Sequence, residues 1–114
     1  MDCSINAYNN VSGTVTLTSI TDNFTNVAAA QGTAGIAMTA ATIETDNTEA
    51  VTKLNVDTLN GFTGGVVTVK SVRDTRANVE AIDAIADGEV LMNTAIVSVT
   101  DAVTKDQAVT LDGF

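Results

Sequence analysis

The sequence predicts an α/β repeat fold in which strand–short-helix units fall into two 52-residue copies and stack in solenoid fashion. Three observations carry that expectation: an internal duplication, runs of β-branched residues alternating with helix-periodic stretches, and acidic residues recurring at the junctions between them.

The duplication is the strongest of the three. Residues 11–62 align with residues 63–114 without a gap, with 19 identities in 52 positions. Val51-Thr52-Lys53 returns as Val103-Thr104-Lys105, and Leu59-Asn60-Gly61-Phe62 returns as Leu111-Asp112-Gly113-Phe114. At the same offset Gly13 falls on Gly65, Ser19 on Ser71, Asp22 on Asp74 and Asn26-Val27 on Asn78-Val79. Residues 1–10 match neither copy and read as an N-terminal arm.

Each copy divides again. Asp22, Glu49, Asp74 and Asp101 are spaced by 27, 25 and 27 residues, each after a β-prone stretch and before a helix-like one. The third unit is the clearest. Val66 to Val72 is rich in β-branched residues and alternates at Val67, Val69 and Ser71, which suits a strand. Asp74 is expected to cap the helix that follows, and Val79, Ile82, Ile85 and Ala86 form its apolar stripe. Gly88 is expected to close it as a left-handed C-cap. In the first unit Thr14 to Thr18 alternates and Asp22 caps a segment through Phe24, Val27 and Ala30. In the fourth, Ala95 to Val99 leads to Asp101 and a stretch from Val103 to Ala108. The second unit runs from Ile36 to Ile43 and then from Glu49 to Leu54, with Glu49 as the cap and Asp46 as its alternative. Gly13, Gly61, Gly65, Gly88 and Gly113 are expected at turns.

A strand with one apolar face and a helix with one apolar stripe cannot bury both alone, so neighbouring units must cover each other. Stacking end to end is one solution. A compact pseudo-twofold α/β or β-sandwich domain, with the two halves packed face to face, is the alternative.

Composition narrows the function classes. The 114 residues are 45% hydrophobic but only 4% aromatic, so the core must be built from Val, Ala and Ile. Fourteen acidic against five basic residues give a net charge of −9, which lacks the footprint for nucleic acid or anionic membranes. The absence of His removes the commonest acid–base catalyst and metal ligand. No base stands ready for a Ser or Thr nucleophile, and Gly61, Gly64 and Gly65 are not followed by the Lys-Ser/Thr of a phosphate loop. No catalytic or cofactor-binding residue is therefore expected, and the chain is read as not an enzyme. Calcium is the one ligand the recurring Asp and Asn oxygens would suit, although no calcium-loop motif is present and no ligand set can be assigned. Cys3, the only cysteine, excludes an internal disulfide and reads as a free thiol. The start Met1-Asp2-Cys3-Ser4 carries no Sec-type signal, and no apolar run approaches the roughly 18 residues of a membrane span.

Val67 to Ile85 (Val-Thr-Val-x-Ser-Val-x-Asp and then Asn-Val-x-Ala-Ile-x-Ala-Ile) and Ile96 to Ala102 resemble the strand–Asp–helix repeats of large bacterial surface proteins, among them adhesins and S-layer-like proteins. The resemblance implies a structural role at an extracellular or virion surface rather than an activity. The expectation is a self-assembling protein or segment that forms a surface layer, fibre or virion coat by repeat-to-repeat packing. It would be a homo-oligomer or a continuing repeat array, with no nucleic-acid partner and no membrane insertion. The alternative is an adhesin-type binding module that recognises a protein or glycan through a patch around Tyr8, Phe62 and Phe114.

Overall fold

The computed structural model describes residues 13–85, 89–92 and 94–114. The expected arm, together with Cys3, Tyr8 and Gly88, lies outside them. The order is β1 (Val15–Thr16), β2 (Ser19–Asp22), α1 (Phe24–Gln31), β3 (Ile36–Ala37), β4 (Thr42–Thr45), α2 (Lys53–Phe62), β5 (Val67–Thr68), β6 (Ser71–Asp74), α3 (Arg76–Asp83), β7 (Val90–Leu91), β8 (Ile96–Val99) and α4 (Lys105–Asp112). The fold is α/β with parallel strands and four helices among the described residues.

Each unit contributes two short strands and one helix, and every observed strand pair is parallel and joins neighbouring units. β1 pairs with β3, β2 with β4, β4 with β5, β5 with β7, and β6 with β8. Strand β4 holds the middle. It faces β2 through Ser19↔Thr42 to Asp22↔Thr45, and it faces β5 through Ile43↔Val67 and Glu44↔Thr68. An isolated parallel bridge, Val51↔Val72, carries the second ladder across the same junction. Helices α1 and α2, and α2 and α3, lie against each other beside these ladders.

The expected single strand over Val66 to Val72 is two strands with a corner at Val69-Lys70. The reason is burial. Val67, Val69 and Val72 are all fully buried, and a strictly alternating strand would have turned Val72 away. The Lys70 N–H donates to Thr45 Oγ1 (3.1 Å), which holds the corner and gives the buried Thr45 hydroxyl a partner. Helix α3 ends at Asp83 with Ala84 as its C-cap, short of the expected Ile85-Ala86 turn. Its eight residues match α1 and α4, about 12 Å each, so the helices keep pace with one another. In the second and fourth units the helices start later than expected and absorb the repeated Leu-Asn/Asp-Gly-Phe segment or most of it.

The gapless alignment of the two halves is corrected as well. Helices α2 and α4 begin at Lys53 and Lys105, 52 residues apart, but β4 and β8 begin at Thr42 and Ile96, 54 residues apart. Two extra residues enter between α3 and β7 and two are lost between β8 and α4. Met38 therefore corresponds to Met92 and Ala41 to Ala95, and Ala41 and Ala95 make the same turn bond, to Met38 O (3.1 Å) and Met92 O (2.9 Å).

The core lies at the junction of the two copies. Val51, Val56 and Leu59 of the second unit and Val67, Val69, Val72, Val79 and Ile82 of the third are all at most 1% exposed. Val103 and Leu111, the copies of Val51 and Leu59, are only half-buried, and Ala108, the copy of Val56, is exposed. Thr63 locks the junction: its hydroxyl donates to Ala41 O and accepts the Gly65 N–H (2.9 Å). Gly65 is required there, because a Cβ would stand 2.5 Å from Ala41 O.

A matched pair of truncations reads this difference. Leu59→Ala is expected to cost about 2–5 kcal/mol in urea unfolding of dilute protein. Leu111→Ala, the same change on the same helix face, should cost less than about half as much because its surroundings are open.

Candidate functional site

The junction acids do not cap their own helices in the expected way. The N-caps are Asn23, Thr52, Thr75 and Thr104, and each accepts a backbone N–H three residues on, from Asn26, Asn55, Asn78 and Gln107 respectively. The four are non-helical and extended, and their short side chains reach back into the first turn. Thr52 with Asn55, and Thr104 with Gln107, complete capping boxes, so Val-Thr-Lys is repeated because it starts a helix. That spacing is legible in the sequence.

Asp22 and Asp74 stand one residue earlier. Asp22 Oδ1 accepts the Asn23 N–H (2.7 Å) and Asn26 Nδ2 (2.9 Å), and Asp74 Oδ1 accepts the Thr75 N–H (2.8 Å) and Asn78 Nδ2 (2.9 Å). The second oxygen of Asp74 reaches across to the preceding unit, where the Lys53 N–H at the first position of α2 donates to it (2.8 Å). Asp101 does the same one unit later, accepting the Arg76 N–H at the start of α3 (2.7 Å). Glu49 takes the corresponding place for α1 through the Thr25 hydroxyl (2.8 and 3.0 Å). Asp46 instead holds its own loop, accepting from the Thr48 N–H (3.0 Å) and hydroxyl.

The result is a ladder of two inter-unit caps, at Asp74 and Asp101, with Glu49 holding a first-turn side chain of α1 in the matching place. A helix start presents unpaired N–H groups and a partial positive charge, so an anion there satisfies both. The Lys53 N–H holds the Asp74 carboxyl below the usual carboxylate range; the Asn78 amide and Thr75 N–H act in the same direction, against partial desolvation.

The ladder has two open ends. Among the described residues, no N–H reaches the second oxygen of Asp22, and no carboxylate reaches the Lys105 N–H at the start of α4. Among the described residues, strands β7 and β8 are paired on one side only. Beside them Ile96 is 64% and Val97 39% exposed, and a groove of about 360 Å³ is lined by Met92, Ala95, Val97, Ala108, Leu111 and Phe114.

Gly61 is not a turn but part of α2, Gly113 caps α4, and Gly13 takes a left-handed φ of 107°. Lys53 pairs with Asp57 (2.6 Å) and Arg76 with Glu80 (2.6 Å) along their own helices, contacts worth about 0.3–0.5 kcal/mol each. Among the described residues no three His, Cys, Asp or Glu side chains converge on a metal-sized site, and no helix is long and apolar enough to cross a membrane. No protein-family model, curated protein or solved structure matches the chain.

The cap at Asp74 is testable by titration. Asp74→Ala is expected to destabilise the fold by about 1–2 kcal/mol near neutral pH, because two helix starts lose an acceptor. With the native carboxyl held low, its contribution is complete above the unfolded value of about 4 and is lost as pH falls through the lower native value. The difference in urea midpoint between wild type and Asp74→Asn should therefore shrink below about pH 4.

Proposed function

We propose that this chain is a non-enzymatic structural module whose units stack in solenoid fashion and assemble into a larger array, such as a surface layer, an extracellular fibre or a virion coat. One observation carries the reading. Val51, bridged to Val72 of the unit that follows, and Leu59 are fully buried, whereas their copies Val103 and Leu111 lie half-open beside a strand edge that is unpaired among the described residues. An unpaired parallel edge flanked by exposed Ile and Val is a surface that pairs with another chain unless it is blocked. No proline stands in the sequence to block it. Aromatic residues are too few for a glycan-stacking platform, and the charge of −9 keeps the lateral faces solvated, which directs association to the ends.

The mechanism is packing and hydrogen bonding rather than chemistry at a centre. Each added unit would pair two short strands, cover a Val/Leu face and cap one helix. Sedimentation over a wide concentration range, with negative-stain electron microscopy of the heaviest fraction, tests it. The expected result is a mass that grows with concentration and particles extended in one direction. A monomer at every concentration would remove the structural reading.

A further inference from the structure

The junction between the two copies inside the chain contains both halves of an interface whose counterparts lie half-buried or exposed at the two ends, with no further unit against them among the described residues. The second unit presents β4, Val51 and the start of α2, and the third covers them with β5, β6 and Asp74. The fourth unit carries the copies of the first set, namely β8, Val103 and the start of α4. The first unit carries the copies of the second set, namely β1, β2 and Asp22. We propose that the chain binds a second copy of itself head to tail, with the first unit of one molecule seated on the fourth unit of the next. This rests on the structural reading above and gives it a partner, a polarity and a register.

The register follows from the observed junction. Ile43↔Val67 and Glu44↔Thr68 translate into Val97 and Ser98 of one molecule against Val15 and Thr16 of the other. At the observed junction the Val51 N–H donates to Ser71 O (2.9 Å) and the Arg73 N–H to Val51 O (3.0 Å). The translated pair is the Val103 N–H to Ser19 O and the Thr21 N–H to Val103 O. The groups needed point the right way. Val15 N–H and Leu17 N–H are spent on Gly35 O and Ala37 O (2.7 and 2.8 Å), so the Thr16 N–H between them faces outward. The Ile96 N–H is spent on Lys70 O (2.9 Å), so the Val97 N–H faces outward too. The two open ends of the capping ladder then close on each other, the Lys105 N–H donating to the Asp22 oxygen that takes no N–H among the described residues, as the Lys53 N–H does to Asp74. A head-to-tail contact regenerates its own ends, so the same interface would propagate into a filament.

Edge prolines test this without touching the internal ladders. Thr16→Pro removes an outward N–H at the head, and Val97→Pro removes one at the tail. Sedimentation equilibrium of wild type should show masses beyond a dimer, each variant alone should be a monomer, and an equimolar mixture should stop at a one-to-one dimer. If wild type assembles and both variants assemble equally well, or the mixture stays monomeric, the register is overturned while the structural reading stands. A wild type that stops at a dimer also overturns it, and a monomeric wild type overturns both. Far-UV circular dichroism checks that the variants fold. Should either proline unfold the chain, Thr21→Pro and Val103→Asp block the same two ends on the other ladder and face the same outcomes.

Discussion

A carboxylate that caps a helix of another unit is the contact on which the arrangement depends. Asp74 holds three things at once: its own helix start through Thr75, the Asn78 side chain, and the first N–H of α2. The strands can pair in parallel only if neighbouring units sit in one register, and the shared carboxylate ties that register to the helix layer. Short strands of two to four residues leave few ladder bonds per unit. Caps that bridge units therefore carry a larger share of the stability here than in a long-stranded sheet.

The doubling has a physical meaning beyond repetition. In the first and third units the strand runs into the helix through a single capping residue, Asn23 or Thr75. In the second and fourth a longer connection intervenes, so each capping acid falls where it can meet the helix behind it. The alternation of short and long units makes 52 residues the repeating distance and leaves the 27- and 25-residue spacing of the acids as its trace. The two-residue slip between β4 and β8 shows that the strand and helix layers tolerate separate adjustments, provided the caps still meet.

Burial follows the same logic. The fully buried side chains gather where a unit has neighbours on both sides; among the described residues the fourth unit adds Met92 to the buried core and packs Val90, Ala95, Val99, Leu111 and Phe114 against it half-buried. A buried core made mainly of Val, with Ala, Ile, Met and Leu59, has no aromatic anchor, so each residue contributes modest area. Coverage by a neighbour therefore separates a buried Leu59 from an open Leu111 more than residue type does.

By itself the sequence determined that the chain is doubled, that β-branched runs alternate with short helices, and that acids mark the boundaries. These are local properties, written in periodicity and in the identity of residues a few positions apart. Leu-Asn-Gly-Phe has turn chemistry locally, yet Gly61 lies within a helix that carries Leu59 into the core. At Asp22 and Asp74 an acid and an Asn or Thr stand side by side as equivalent cap candidates locally, and the structure uses the second. The tertiary structure alone decided which helix each acid serves, where the corner at Lys70 falls, and that the strand register slips by two. Those outcomes depend on contacts between residues 21–25 positions apart, set by how units stack, and no local pattern encodes that spacing.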